Sequence, residues 1–210
     1  MKKSERNQQI LQGLAKLFPN PDCALIHDGP FQLLIATILS AQCTDERVNM
    51  VTPPLFAKYP TPEKMAHASL QSLETLVKST GFYRAKAKSL QSTAQDIVSR
   101  HHGQVPNTMH DLIQLRGVGR KTANVVLGNA FGKNVGVVVD THVGRLSRKF
   151  GFTKHKDPIK VEKDLMKLVP QEDWTVISHR MIMHGRTTCK ARKPLCGVCK
   201  LHHLCPSALV

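Results

Sequence analysis

An all-α fold is predicted for this 210-residue chain by three observations. Apolar residues recur at helical spacing along most of its length. Capping residues stand at the head of several of those stretches. Only Val135-Gly136-Val137-Val138-Val139 has strand character, and with no partner of similar composition it reads as a buried extended connection.

The elements follow in order. Residues 5–18 put Ile10, Leu11, Leu14, Leu17 and Phe18 on one helical face. Residues 31–41 are nearly all apolar and predict a buried helix ending near Ala41-Gln42. Thr44-Asp45-Glu46 starts a new helix with a cap and early acids. Thr61-Pro62-Glu63 starts another, with proline at the first helical position. Residues 69–79 and 83–101 are amphipathic and are separated by Gly81-Phe82-Tyr83. Residues 108–115 and 120–131 form a helix pair around Arg116-Gly117-Val118-Gly119. Helices resume at about 141–150, 158–169 and 173–184. The last 25 or so residues, rich in Cys, Pro and basic residues, should be irregular and held by something other than a core. No tandem repeat or low-complexity linker stands out.

Charge narrows the partner. Thirty Lys and Arg face 15 Asp and Glu, a formal net charge of +15, which argues for a polyanion. After Asp173 there is no acidic residue, while Arg180, Arg186, Lys190, Arg192, Lys193 and Lys200 follow. Between Arg116 and Lys149 the only acid is Asp140. No apolar run approaches the roughly 20 residues of a membrane span. The charged N-terminus lacks the apolar core of a secretion signal. The chain is therefore expected in the cytoplasm, associated with the nucleoid, with no membrane partner.

Six cysteines in a reducing compartment are ligands or buried thiols rather than disulfides. Cys189, Cys196, Cys199 and Cys205 have the spacing C-x6-C-x2-C-x5-C and can converge on one inorganic centre. Zinc competes with iron–sulfur here, although zinc sites usually show two close pairs and this run has one. Spacing leaves both open. His202 and His203 are alternative ligands but read better as surface or phosphate-facing residues. Cys23 and Cys43 read as plain buried thiols.

Gly117-Val118-Gly119 joins two helices by a tight turn, with Arg120 and Lys121 behind it. Its backbone N–H groups and the following helix start suit a DNA phosphate. Lys121 stands where the helix dipole and Arg120 both oppose a cation, which favours the neutral amine, a nucleophile able to form a Schiff base. A phosphate-binding lysine is the other reading, and this segment alone does not reject it. Asp140-Thr141-His142 follows the valine run and opens a helix. Asp140 is read both as an N-cap and as a carboxylate held in place for catalysis.

At these residues the sequence resembles the endonuclease III family of helix-hairpin-helix DNA glycosylases. The matching stretches are Leu39-Ser40-Ala41-Gln42, Gly117 through Val126, Val139-Asp140-Thr141-His142 and the complete cysteine spacing. The resemblance implies a helical barrel over residues 23–133, and an iron–sulfur domain made of 1–22 plus 134–210. DNA would lie across the cleft between them. It implies a [4Fe–4S] cluster on Cys189, Cys196, Cys199 and Cys205, and a monomer acting on double-stranded DNA with damaged bases or abasic sites. It implies removal of oxidised pyrimidines, flipped from the duplex. Lys121 would attack the sugar, Asp140 would assist, and β-elimination would nick the strand. Gln42 and Phe82 would fill the vacated stack. Gly117, Val118, Gly119, Arg120, His142, Lys190, Arg192 and Lys193 complete the expected DNA contacts, with Asp45 near the site. Arg116 stands where the hairpin often has proline, and Phe82 is larger than the usual aliphatic wedge.

Two other readings compete. An adenine-mismatch glycosylase shares the fold, but it has a glutamate where this chain has Ile38 and lacks the nucleophilic lysine. A non-catalytic DNA-binding module would use the hairpin alone. The Lys121/Asp140 pair speaks against it.

Overall fold

The computed structural model describes residues 1–209. In it eleven α-helices run in order: α1 (Lys3–Leu17), α2 (Gly29–Leu39), α3 (Asp45–Lys58), α4 (Pro62–Ala66), α5 (Leu70–Val77), α6 (Tyr83–His101), α7 (Met109–Leu112), α8 (Arg120–Phe131), α9 (Thr141–Lys149), α10 (Pro158–Leu168) and α11 (Trp174–Thr187). There is no strand among the described residues, so the fold is all-α as expected. The valine run is extended, with Val137 and Val138 buried. Among the described residues no helix is long and apolar enough to cross a membrane. The chain divides into two compact units, Cys23–Lys133 and Met1–Asp22 with Asn134–Val210.

In the Cys23–Lys133 unit, α2 is the central helix. Every residue from Leu33 to Leu39 is buried, and α3, α6 and α8 pack against it. A helix apolar all round belongs inside a core. The predicted caps hold: the Thr44 and Thr61 hydroxyls accept from Arg47 N and Lys64 N at 3.3 and 3.4 Å. α3 also contains Pro53 and Pro54, which ordinarily break a helix. Both are exposed, while Val51, Thr52, Leu55 and Phe56 are buried, so the carbonyls deprived of donors lie on the solvent side. The predicted helix 108–115 contracts to α7. Beyond it Gln114 and Leu115 donate to Asp111 and Leu112 in tighter three-residue turns, winding the chain towards Gly117.

In the other unit, α1, α9, α10 and α11 surround a core of Ile10, Leu14, Val143, Leu146, Phe150, Val161, Leu165 and Met181. The C-terminal segment is irregular apart from two short 3-10 turns, Cys196–Val198 and His202–Leu204. It is not free of the core, however. Leu201 is 3% exposed and Leu204 9%, and both pack into the same cluster. The expectation that something other than a core holds this segment is corrected to that extent. Leu201, two residues after Cys199, and Leu204, just before Cys205, dock it as well.

Candidate active site

The hairpin is built by one glycine in particular. Gly117 has φ 78°, which favours glycine, and a Cβ there would stand a tight 3.2 Å from Ser89 Cβ. Val118 N donates back to Leu115 O at 3.1 Å, and the Val118 side chain is buried. The Arg116 carbonyl accepts from the buried Thr93 hydroxyl at 2.6 Å. That bond fixes the turn from α6, where a proline would have stiffened it from within. Gly119 is the N-cap of α8 and provides no side-chain acceptor. Arg120 and Lys121 occupy the first two positions of α8, both exposed.

Gln42 and Phe82 share an unusual backbone. Their φ values are 54° and 47°, in the left-handed region. For a bulky side chain such as phenylalanine this is strained. The third such non-glycine residue, His102, is the ordinary left-handed C-cap of α6. Gln42 and Phe82 instead lie in surface turns, and Phe82 is 68% exposed. A large apolar side chain held out to solvent on a strained backbone points to use rather than packing.

Asp140 is the N-cap of α9, and its carboxylate accepts from Val143 N at 2.8 Å. Its neighbour His142 is half-buried, with Nδ1 3.4 Å from the Arg145 guanidinium. The same Arg145 nitrogen donates to Gly185 O at 3.2 Å and to Cys189 O at 2.6 Å. A Cβ on Gly185 would meet His142 Nδ1 at 2.7 Å, so α9 and α11 pack at a distance only glycine allows. The helix that Asp140 caps is thus tied to the first cysteine of the C-terminal run.

Cys189, Cys196, Cys199 and Cys205 line one pocket, together with Phe150 and His184. Among the described residues no three His, Cys, Asp or Glu side chains converge as a single ion requires. The four cysteines gather around one space in the fold, as ligands to a shared inorganic centre must. Burial pushes the Cys189 and Cys205 thiols above the ordinary cysteine value, and Lys149 opposes the shift on both. Such thiols favour the thiolate once a cationic centre binds. His184 is almost wholly buried, with its Nε2 3.8 Å from Cys199 Sγ, and burial lowers its pKa to about 4. His202 and His203 are exposed at the rim. Lys190, Arg192 and Lys193 are exposed in the loop between the first two cysteines. Cys23 and Cys43 are half-buried against the core of the other unit.

Residues 35–171 match the model of the HhH-GPD superfamily of base excision DNA repair proteins, and residues 189–205 match the iron–sulfur binding domain of endonuclease III. An endonuclease III of Synechocystis is 56% identical over 206 residues, 98% of this chain and 94% of its own length. The chain belongs to the endonuclease III family. Two solved structures agree. One is a non-covalent endonuclease III–DNA complex, with TM-score 0.94, 45% identity and coverage of 99% of this chain and 97% of that one. The other is a trapped endonuclease III–DNA covalent intermediate, with TM-score 0.93, 45% identity and coverage of 99% and 98%. As a member of this family the chain is a DNA glycosylase and lyase of base excision repair, its partner is DNA, and it carries an iron–sulfur segment at residues 189–205.

Sequence reasoning passed over Lys86, Thr93 and His184. Lys86 is a lysine on the buried face of α6, in register with Leu90, Thr93 and Ile97. A cation at that spacing on an otherwise apolar face was a legible signal.

Proposed function

We propose that this endonuclease III family member removes oxidised pyrimidines from double-stranded DNA through a Schiff base on Lys121 and then nicks the strand. The observation that carries this reading is the whole-chain likeness to an endonuclease III trapped in a covalent intermediate with DNA. Such an intermediate needs a protein nucleophile, and Lys121 offers an exposed amine at the start of α8. The amine attacks the anomeric carbon of the extruded nucleotide. The bond to the base breaks, and the base leaves and takes up a proton. Opening of the sugar ring gives the Schiff base. Loss of a proton from the neighbouring carbon then expels the 3′ phosphate ester, which is the nick. Asp140 accepts the lysine proton or faces the positive charge that develops on the sugar. Gln42 and Phe82 enter the stack that the flipped nucleotide leaves. Gly117, Val118, Gly119 and Arg120 hold backbone phosphate, with His142 near the site.

Cys189, Cys196, Cys199 and Cys205 would hold a [4Fe–4S] cluster, which cross-links a segment that has few core anchors of its own. The protein acts as a monomer in the cytoplasm.

Borohydride trapping tests the assignment. The wild-type protein should yield a stable protein–DNA adduct. Lys121→Gln should abolish it while keeping DNA affinity, since one basic residue of 30 is lost. Asp140→Asn keeps an oxygen for Val143 N and hence the cap, but removes the charge. Base release should slow far more than binding weakens. Elimination from a pre-formed abasic site, which begins at an aldehyde, should survive better in Asp140→Asn than in Lys121→Gln. Undiminished trapping in Lys121→Gln would move the nucleophile to another amine.

A further inference from the structure

Among the described residues Lys86 is the one buried lysine, and the proposed chemistry does not use its ammonium. Its side chain is 6% exposed, and its Nζ donates to Thr80 O at 2.7 Å. It stands in the first turn of α6, where the helix dipole opposes a cation. Burial lowers its pKa, and the Cys43 sulfur lies within electrostatic reach and acts the other way. A charge kept at a dipole's wrong end and out of water is costly. Leucine or methionine would fill this place on the face formed with Leu90, Thr93 and Ile97 more cheaply.

What the ammonium holds explains its presence. Thr80 ends the 3-10 turn after α5, and the next two residues, Gly81 and Phe82, both have positive φ. The Thr80 hydroxyl bonds back to Val77 O at 2.8 Å, and Lys86 N closes onto Phe82 O at 3.0 Å. Lys86 therefore grips the strained turn at both ends, by its backbone after Phe82 and by its side chain before Gly81. Within its electrostatic reach is Cys43, the residue after Gln42, in the turn closed by Cys43 N to Ser40 O at 3.1 Å. One buried cation thus bonds directly to the first strained turn and lies within electrostatic reach of the second.

We propose that Lys86 is a positioning residue for base extrusion, fixing the Thr80–Phe82 turn so that Phe82 enters the DNA stack in register with Gln42. The proposal rests on the reading of Gln42 and Phe82 as the stack-filling residues. The test is stopped-flow fluorescence of 2-aminopurine placed beside a lesion in duplex DNA, which reports extrusion, with nicking of a single-stranded abasic oligonucleotide measured in parallel. Lys86→Met should slow extrusion by about tenfold or more, the size expected for one lost charge-assisted hydrogen bond. Single-strand nicking, which opens no stack, should be unchanged, and Lys86→Arg should restore most of the extrusion rate. Lys86→Gln replaces the Met variant if that does not fold. Wild-type extrusion in the neutral variant overturns the proposal, as does an equal loss on both substrates or loss of fold in both variants. Phe82→Ala separates the two claims: if it extrudes normally, the stack-filling reading fails; if it is slow while Lys86→Met is normal, only the role of Lys86 fails.

Discussion

At Gly117 the backbone favours one residue type. The position combines φ 78° with a prospective Cβ contact of 3.2 Å to Ser89. Alanine would meet left-handed strain of about 1–3 kcal/mol together with the crowding. Gly117→Ala should lower unfolding free energy by at least that strain and weaken binding to abasic-site DNA, since Val118 and Gly119 must shift with it. Gly119 is the internal control. Its φ is −95° and nothing stands within 4 Å of a Cβ, so in Gly119→Ala the poorer N-cap is offset by the stiffer unfolded chain and stability should change by less than about 1 kcal/mol. Denaturant titration of both variants checks the contrast; equal losses would mean that the turn, not the φ, sets the requirement. These residues were legible in the sequence because glycine in a basic G-x-G turn advertises its geometry. His184 was not, because its burial is decided by neighbours distant in sequence, and Lys86 was marked by its spacing on the buried face of α6 although its partner was not. Lys86 is kept from water by its fit against Thr80, and His184 by Phe18 and Phe150.

The helices were the most readable elements, since caps and apolar period are local signals. α2, α6 and α8 each extend over residues that the pattern marks. Departures arise where local rules conflict with burial. α3 carries two prolines through its interior because its solvent side tolerates the missing donors. α7 stops after one turn because the chain must reach Gly117. The C-terminal segment shows the opposite limit. Its cysteines announce a centre, whereas the docking of Leu201 and Leu204 follows no periodic pattern. That docking shapes the expected phenotype of losing a ligand. The purified protein should contain about four iron atoms per chain, as a [4Fe–4S] cluster requires. Cys199→Ser should lose iron, folded yield and the hydrogen-exchange protection of residues 189–205. The Cys23–Lys133 unit, with a core of its own, should keep its protection. Cys23→Ser should keep its iron. Stoichiometric zinc in place of iron would reject the cluster.

For the whole molecule, an excess of 15 positive charges acts as a field as well as a set of contacts. The field attracts any nucleic acid and is screened over about 8 Å at physiological salt. Contacts differ from it because each neutralised phosphate releases counterions, so log affinity falls with log salt in proportion to their number. The exposed Arg192 and Lys193 lie beside residues that a bound centre would hold rigid. Ordered cations lose less entropy on meeting phosphates than mobile ones do. Replacing both by Ala should therefore lower the magnitude of the salt slope by about 0.9 for each phosphate contact removed. A lost background charge would instead weaken binding slightly at low salt and leave the slope alone. Single-turnover cleavage at saturating enzyme should match the wild type, because neither residue is assigned to the chemistry. Unchanged affinity and slope across a salt series would place this loop away from the DNA, and the task of gripping the backbone would then fall to the hairpin at Gly117–Arg120.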